Sequence, residues 1–219
     1  MLLYSLFIGI VLFVSGRSLI KNYIDKKMKT KSIYLLYVYE IIGIVIGAKL
    51  IDIATNFDIY LYYLKNNDYY RMLLNGYTFL GGIIGVIFSV YIYSKIYNEN
   101  FNDISEIIFP NLLLIYALLK IGCFFNGCCY GIKFDNINIP IQIIEVIIYL
   151  CLYICINLIK DRNKKLYLLC ILFGLIRFCI ELFRAEREYI PNISQVFALI
   201  IFEIGIVLMI KKMRLKGNI

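Results

Sequence analysis

The most informative absence in this sequence of 219 residues is histidine, which does not occur at all. Histidine is the usual general base near neutral pH and the commonest metal ligand, so another residue type must fill either role here. Charged residues are also few, at 17% of the chain, whereas soluble domains carry about a quarter. With 62% hydrophobic residues and a mean hydropathy of +0.79, the composition excludes an ordinary soluble globular domain.

Long apolar runs indicate helices that cross a membrane. Runs such as Ile104–Phe125 and Gln195–Ile210 contain few charges, and about 20 apolar residues in a helix span a bilayer core of about 30 Å. Strands of membrane barrels alternate apolar and polar residues, which these runs do not. The sequence therefore predicts an all-α integral membrane protein, with residues 1–219 forming one polytopic domain. Its seven predicted spans cover residues 2–20, 33–55, 74–97, 105–125, 140–159, 164–184 and 194–211.

The basic residues between these runs predict the orientation. Fourteen Lys and Arg residues fall on one side and five on the other. Because cytoplasmic loops are enriched in Lys and Arg, we expect the N-terminus outside and the C-terminus in the cytoplasm. The cytoplasmic set is Lys21, Lys26, Lys27, Lys29, Lys31, Lys95, Lys160, Arg162, Lys164, Lys165, Lys211, Lys212, Arg214 and Lys216, and the outer set is Lys65, Arg71, Lys133, Arg184 and Arg187.

Three other interpretations are disfavoured. The net charge of +8 lies in membrane flanks and not in the basic patch of a nucleic-acid-binding module, so we expect no nucleic-acid partner. No internal repeat is visible, which weakens an inverted-repeat transporter. The seven Cys residues show no disulfide framework. Four of them lie inside apolar runs, where Cys behaves as a small hydrophobe: Cys151, Cys155, Cys170 and Cys179.

Several charged residues fall inside or near the predicted spans, where charges are costly and mark functional sites. With the orientation above, most of them fall in the outer halves of their spans, so a cationic cavity opening on the outer leaflet is the simplest arrangement. Glu40 and Glu203 do not fit it so well. The residues at this level are Lys49, Lys120, Glu145, Arg177, Glu181 and Arg184, together with Gly81, Gly82, Gln142, Ser194 and Gln195.

Arg177, Glu181 and Arg184 follow the spacing i, i+4, i+7 and therefore share one helix face. One interpretation is a structural clamp that ties the sixth span to its neighbours. The other is a site for a lipid phosphate, because the planar Arg fork matches phosphate oxygens and the Glu fixes and partly neutralises it. Both can hold together.

Two segments are rich in glycine. The segment Gly81-Gly82-Ile83-Ile84-Gly85 spaces small residues as close helix packing requires. The block from Lys120 to Gly131 contains three glycines and an Asn, and it ends a span in irregular backbone. At membrane depth such backbone is tolerated only against protein or a cavity. Its N–H groups, if free, would suit an anion.

The same block holds Cys123, Cys128 and Cys129. Zinc would need more ligands with regular spacing and no His is available, so we expect no metal. Adjacent Cys128 and Cys129 have poor geometry for a redox pair. A reactive Cys123 beside Lys120 stays open, while packing is the default for all three thiols.

Taken in order, these landmarks resemble the prolipoprotein diacylglyceryl transferases, bacterial membrane enzymes that lipidate lipoprotein precursors. The resemblance covers most of the chain from Gly43 onward, and Tyr4 is loosely similar to a family Tyr in the first span. The matching pieces are Gly47-Ala48-Lys49, Phe79 to Gly85, Pro110, Lys120 to Gly131, Pro140-Ile141-Gln142 with Glu145, the face of Arg177, Glu181 and Arg184, and Ser194-Gln195.

The resemblance implies a concrete reaction at the outer leaflet of the bacterial cytoplasmic membrane. Family members move the diacylglyceryl group of phosphatidylglycerol to the thiol of a lipobox Cys and release glycerol phosphate. Lys120 and Arg177 would hold the phosphate and stabilise the leaving charge, and Glu145 and Glu181 would orient these cations. Arg177, Glu181 and Glu145 are thus the expected catalytic residues. Substrate contacts are expected from Lys120, Asn126, Gly127, Gly131, Gly81, Gly82, Arg184, Gln142 and Lys49, in a monomer without metal or cofactor.

The sequence departs from the family pattern at four positions. Leu80 stands where the family has His, Lys120 where it has Arg, and Cys123 and Cys128 where it has Asn and Glu. Glu181, Glu145 or a Tyr could serve as the base, or the acceptor could differ. Two alternatives therefore stay open: a paralogue of the same fold acting on another lipid or acceptor, and a non-catalytic lipid-binding or transport protein.

Overall fold

The computed structural model describes residues 2–25, 33–74, 76–134, 137–185 and 192–217. Within these ranges the elements are helices and one short hairpin. The helices are α1 (Leu2–Asp25), α2 (Ile33–Thr55), α3 (Phe57–Lys65), α4 (Tyr69–Leu74), α5 (Phe79–Tyr97), α6 (Phe101–Asn126), α7 (Ile141–Leu158), α8 (Arg162–Glu181) and α9 (Ile193–Gly217), and the hairpin strands are β1 (Lys133–Phe134) and β2 (Ile137–Asn138). Each of the seven predicted spans overlaps one long helix, whereas α3 and α4 have no counterpart in the sequence prediction.

Among the described residues, five helices are long and apolar enough to cross a membrane, namely α2, α5, α6, α7 and α9. Helix α8 is also long, but it carries five charged residues. The chain is thus a multi-pass membrane protein, while the count of seven spans and their orientation stay predictions. Five of the residues used to predict the orientation lie outside the described ranges, namely Lys26, Lys27, Lys29, Lys31 and Arg187. The side chain of Tyr4 is not described either.

The distribution of apolar and polar side chains fits a protein surrounded by lipid. Leu158, Phe88 and Val207 are 75%, 65% and 63% exposed, respectively. Glu145 and Gln142, by contrast, are fully buried. In a bilayer the apolar surface faces lipid, and ionisable side chains face the interior of the protein.

The chain forms two compact units. One consists of Met1–Asn22 with Glu106–Ile219, and the other is Tyr23–Ser105. The organisation as a single domain stays a prediction.

Glycines let α2 and α5 pack closely within the unit Tyr23–Ser105. A Cβ on Gly47 would lie 2.6 Å from the Cα of Gly85, and a Cβ on Gly81 would lie 2.9 Å from the Cα of Ala48. A Cβ on Gly82 would meet nothing closer than 3.7 Å. The backbones of α2 and α5 therefore approach more closely than residues with side chains would allow. This confirms the interpretation of the segment Gly81 to Gly85 as a close helix-packing motif. Substrate contacts at Gly81 and Gly82 stay predictions.

In the other unit, α8 packs against α7 and most extensively against α9. A Cβ on Gly174 of α8 would lie 2.6 Å from the carbonyl oxygen of Ala198 in α9. Asp161 caps α8, because its Oδ1 accepts a hydrogen bond from the Lys164 N–H at 3.1 Å. The same carboxylate pairs with Lys212 of α9. These contacts fix the helix that carries the predicted Arg-Glu-Arg face.

Candidate functional site

Helix α6 ends in a tight turn that carries the predicted glycine-rich block. Gly127 has a φ of +68°, a conformation that glycine adopts without steric cost. Cys129 has a φ of +60°, which is uncommon for a residue with a side chain. The turn brings the Cys128 N–H to the carbonyl oxygen of Cys123 at 3.1 Å. The expectation that this helix ends in irregular backbone is confirmed.

The backbone amides of the block are largely used within the chain. The Gly127 N–H donates to the Phe124 carbonyl at 3.3 Å, and the Gly131 N–H donates to the Ile139 carbonyl at 3.0 Å. The expectation of free N–H groups for an anion is therefore wrong at Gly127 and Gly131, because the turn and the strand-like pairing consume these donors. A substrate contact through other atoms of these glycines stays a prediction, as it does for the exposed Asn126.

The segment after the turn pairs with the end of α8 and positions Arg184. Gly131 forms an antiparallel bridge with Arg184. Next to it, the Ala185 N–H donates to the Tyr130 carbonyl at 3.1 Å. A Cβ on Gly131 would lie 2.8 Å from the carbonyl oxygen of Ile139 and 3.1 Å from that of Phe183, the residue before Arg184. Glycine at this position therefore permits the close pairing that holds Arg184 in place.

Five charged side chains meet in one buried group, called here the charge cluster. Its members are Lys120 of α6, Glu145 of α7, Arg177 and Glu181 of α8, and Arg184 of the following turn. Glu145 Oε2 lies 2.7 Å from Lys120 Nζ, and Glu145 Oε1 accepts from Arg177 Nη1 at 3.0 Å. Arg177 Nη2 lies 2.9 Å from Glu181 Oε2. The structure thus joins these five residues around Glu145, while their catalytic and binding roles stay predictions.

Arg184 is the most loosely held cation of the charge cluster. Its Nη2 lies 4.0 Å from Glu145 Oε2, its Nη1 lies 3.8 Å from Glu181 Oε2, and its Nε has no hydrogen bond among the described residues. Three cations against two carboxylates leave one positive charge in excess. Because a buried charge without a partner is costly, the cluster favours an anion. Arg184 has N–H donors available for it.

Tyr116 of α6 completes the charge cluster, although it is not among the residues predicted from the sequence. Its hydroxyl donates to Glu145 Oε1 at 2.8 Å and accepts from Arg177 Nη1 at 2.9 Å. Lys120 Nζ lies 5.0 Å from the centroid of the Tyr116 ring. The ring of Tyr149 supports it edge-on, with 4.8 Å between the centroids. The available signal is the spacing, since Tyr116 precedes Lys120 by four residues and shares its helix face.

Asn192 links the start of α9 to the charge cluster, and it too is absent from the residues predicted from the sequence. Asn192 Nδ2 donates to Glu181 Oε1 at 3.0 Å. Asn192 and Gln195 also cap the helix reciprocally. The Gln195 N–H donates to Asn192 Oδ1 at 2.8 Å, and the Asn192 N–H donates to Gln195 Oε1 at 3.1 Å. The pattern Asn-x-x-Gln before an apolar run is the sequence signal for this cap.

Three thiols meet at the turn after α6 and form what we call the thiol cluster. The Sγ atoms of Cys123, Cys128 and Cys129 all lie within 4.8 Å of one another. A hydrogen bond with the Cys123 thiol, opposed by burial and aided by the charge of Lys120, lowers the pKa of Cys129 to about 5. Buried Gln142 of α7 donates from Nε2 to the Cys128 carbonyl at 2.6 Å and so holds the turn. A substrate contact at Gln142 stays a prediction.

Lys49 belongs to the unit Tyr23–Ser105, where it lies against two aromatic rings. Its Nζ donates to the Tyr60 hydroxyl at 3.0 Å and lies 4.9 Å from the ring centroids of Tyr60 and Tyr77. The Tyr60 hydroxyl donates in turn to Asp52 Oδ2 at 2.5 Å. Burial and the bond to Asp52 raise the pKa of Tyr60 well above its usual value. A substrate contact at Lys49 stays a prediction.

The fold and the charge cluster define a class of protein, namely a helical membrane protein with a charged site enclosed by its helices. Charges in such places mark the site of function. The sequence profile of the prolipoprotein diacylglyceryl transferase family matches residues 1–211. The chain therefore belongs to this family of membrane transferases in lipoprotein biosynthesis, as the resemblance predicts.

Curated relatives of the chain are named phosphatidylglycerol–prolipoprotein diacylglyceryl transferases. One from Clostridium tetani is 32% identical over 113 residues, which is 49% of this chain and 44% of the relative. One from Rickettsia bellii is 29% identical over 199 residues, covering 79% of this chain and 75% of the relative. One from Dehalococcoides mccartyi is 28% identical over 162 residues, or 64% and 62% of the two lengths. The chain thus spans from about half to three quarters of the relatives it matches.

Proposed function

We propose that the protein transfers a diacylglyceryl group from phosphatidylglycerol to the cysteine thiol of a lipoprotein precursor. The names of its relatives and the family membership support this reaction. The observation that carries the proposal is the charge cluster, in which three buried cations face two carboxylates. The single excess positive charge matches the single negative charge of the phosphatidylglycerol phosphate.

Arg184 is the first partner of the lipid phosphate in this proposal. Its guanidinium is held at 3.8 and 4.0 Å from its carboxylates, so it can turn toward a phosphate with little loss. Arg177 and Lys120 act later. They stabilise the second negative charge that develops on glycerol phosphate as it leaves.

The transfer itself is a substitution at carbon. The acceptor thiol loses its proton and its sulfur bonds to the glycerol carbon that carries the phosphate. The bond between that carbon and the phosphate oxygen breaks, and glycerol phosphate leaves with the electron pair. Glu145 and Glu181 orient the cations, because their oxygens already accept hydrogen bonds from Tyr116, Arg177 and Asn192.

The proposed arrangement in the membrane is supported by the distribution of basic residues. The chain, as one domain and one monomer, crosses the bacterial cytoplasmic membrane seven times with its N-terminus outside. Fourteen basic residues against five support that orientation. The charge cluster then faces the outer leaflet, where phosphatidylglycerol and the precursor meet it. We further propose the substrate contacts that the family resemblance implies, namely Asn126, Gly127, Gly131, Gly81, Gly82, Gln142 and Lys49.

A paralogue with another lipid or acceptor is the second candidate. Leu80, Cys123 and Cys128 stand where the family has His, Asn and Glu, which favours an altered substrate or an altered way of activating it.

A reconstituted assay tests the proposal and separates the candidates. The purified protein is incubated with phosphatidylglycerol vesicles and a lipobox peptide, and the products are analysed by mass spectrometry. We expect a thioether-linked diacylglyceryl peptide and free glycerol phosphate. A peptide with Ser in place of Cys, and vesicles of zwitterionic phosphatidylethanolamine, are the matched controls. Absence of the thioether where an established family member produces it would refute the reaction. Products with the zwitterionic lipid would favour the paralogue.

A further inference from the structure

The thiol cluster has the dimensions of a metal site. Zinc binds thiolates at about 2.3 Å with tetrahedral angles, so thiolates that share one ion lie about 3.8 Å apart. The three Sγ atoms already lie within 4.8 Å of one another. Shifts of about half an ångström, within reach of small side-chain rotations, would bring them to bonding distance of one ion.

Backbone contacts hold the thiols together. Cys123 lies in the last turn of α6, and the positive φ of Gly127 reverses the chain so that Cys128 and Cys129 return to it. The Cys128 N–H is bonded to the Cys123 carbonyl at 3.1 Å, and Gln142 holds the Cys128 carbonyl at 2.6 Å. Outer contacts of this kind orient metal ligands and are part of a metal site.

Sequence spacing alone argues against a metal, because it offers three neighbouring thiols and no histidine. The turn after α6 changes that argument. It supplies three soft ligands at one point, and among the described residues they are the one such group within metal-binding distance. Three protein ligands and an open fourth position are the pattern of catalytic zinc, whereas structural zinc is closed by four. The three thiols are half-buried, so the fourth position is within reach of a substrate.

We propose that Cys123, Cys128 and Cys129 bind one zinc ion whose fourth position takes the thiol of the lipoprotein precursor. This inference rests on the proposed transferase function and deepens it. It supplies the step for which this chain has no histidine, namely deprotonation of the acceptor. A thiol that coordinates zinc gives up its proton to water and stays bound as a thiolate. Its sulfur then attacks the glycerol carbon as the carbon–oxygen bond to phosphate breaks.

The position of the thiol cluster suits this step. Cys123 follows Lys120 by three residues on α6, so their Cβ atoms are about 5 to 6 Å apart on one helix face. The thiolate would therefore be delivered next to the cations that hold the leaving phosphate.

Cobalt substitution tests the site without relying on activity. The full-length protein, purified under reducing conditions and stripped by a chelator, is titrated with Co²⁺. We expect one cobalt ion per chain, with thiolate-to-cobalt charge-transfer absorption and the visible bands of tetrahedral Co²⁺. Adding a lipobox peptide with Cys should shift the visible bands, and the Ser peptide should not. This measurement uses the unaltered chain and needs no variant to fold.

Variants locate the ligands. Cys129→Ser should weaken cobalt binding by about tenfold or more. The matched control is Cys151→Ser, an exposed thiol of α7 outside the cluster, which should bind cobalt as the parent does. Equal cobalt affinity in the parent and in the triple variant Cys123→Ser, Cys128→Ser, Cys129→Ser would overturn the inference. So would an unaltered chain that shows no charge-transfer band.

The two proposals fail in distinguishable ways. Thioether product formed at full rate by metal-free protein would refute the zinc site and leave the transferase function standing. A cobalt spectrum that responds to the Cys peptide, with no thioether formed from phosphatidylglycerol, would support the metal site and refute the lipid donor.

Discussion

Lys120 and Glu145 form an ion pair of 2.7 Å between α6 and α7, with side-chain exposures of 6% and 0%. Two residues from different helices are thus paired where neither reaches bulk water. Such a pair stabilises only when the rest of its surroundings satisfies both charges. Glu145 meets this condition through Arg177 and Tyr116, which also bond to its carboxylate. This carboxylate therefore holds three of the helices of its unit in register.

Removing the charge of Glu145 should destabilise the protein as well as stop turnover. In Glu145→Gln the buried Lys120 and Arg177 lose their shared partner, and breaking such a pair costs about 3 to 5 kcal/mol. Thermal unfolding in detergent, followed by circular dichroism, should show a lower midpoint. Glu203→Gln, an exposed carboxylate of α9, is the control and should unfold as the parent does. An unchanged midpoint in Glu145→Gln would show that the carboxylate does not anchor the cluster.

Arg177 should not tolerate lysine. Its Nη1 contacts Glu145 and Tyr116 while its Nη2 contacts Glu181, a fork that a single ammonium group cannot reproduce. Arg177→Lys should lower turnover by about a hundredfold or more, the loss typical when one donor to a developing charge is removed. The control, Arg214→Lys on the exposed end of α9, should retain full rate in the peptide assay. Near-parental turnover in Arg177→Lys would argue for a purely structural clamp.

Replacing Arg184 should weaken lipid binding more than it lowers the stability of the fold. Because its ion pairs are the longest of the charge cluster, Arg184→Gln should lower the unfolding midpoint much less than Glu145→Gln does. It should raise KM for phosphatidylglycerol by about tenfold to a hundredfold, since a charge-assisted bond to phosphate is worth about 1.5 to 3 kcal/mol. Arg184→Lys should restore part of the affinity. A fall in kcat with KM unchanged would contradict a role in phosphate binding.

The hydroxyl of Tyr116 should matter although its ring packs well. Tyr116→Phe keeps the ring and removes the bond to Glu145 and the acceptor for Arg177. Losing a buried hydrogen bond to a charged group costs about 1.5 to 3 kcal/mol. The unfolding midpoint and the turnover number should both fall. Tyr91→Phe, which keeps its edge contact with Phe101, is the control and should change neither.

The long helices and the Arg-Glu-Arg face could be predicted because both signals are local. The length of an apolar run predicts the length of the helix directly. The spacing of Arg177, Glu181 and Arg184 places them on one helix face. The short helices α3 and α4 lack such a signal, because each is too brief for a clear period. For Lys120 and Glu145 the sequence predicts only a shared cavity, since residues so far apart in the chain do not reveal which oxygen meets which nitrogen.

The parts of the site that the sequence does not reveal depend on where the backbone reverses direction and which distant segments it then meets. The amides of Gly127 and Gly131 are consumed by a turn and a bridge whose partners lie elsewhere in the chain. Asn192 reaches Glu181 only because α9 starts beside the end of α8. The thiol cluster likewise arises from the reversal at Gly127, which spacing alone cannot convey.

The two glycines Gly47 and Gly82 offer a sharp test of helix packing in the unit Tyr23–Ser105. A Cβ on Gly47 would lie 2.6 Å from the Cα of Gly85, which is backbone and cannot rotate away. A Cβ on Gly82 would meet Ile44 at an ordinary 3.7 Å. Gly47→Ala should therefore destabilise by about 1 to 3 kcal/mol through overpacking. Gly82→Ala should be neutral or slightly stabilising, because alanine favours the helix by up to about 1 kcal/mol. The midpoints of thermal unfolding of the two variants and the parent, measured in the same detergent, test this difference. Equal midpoints for the two variants would mean that α2 and α5 do not approach as closely as their glycines permit.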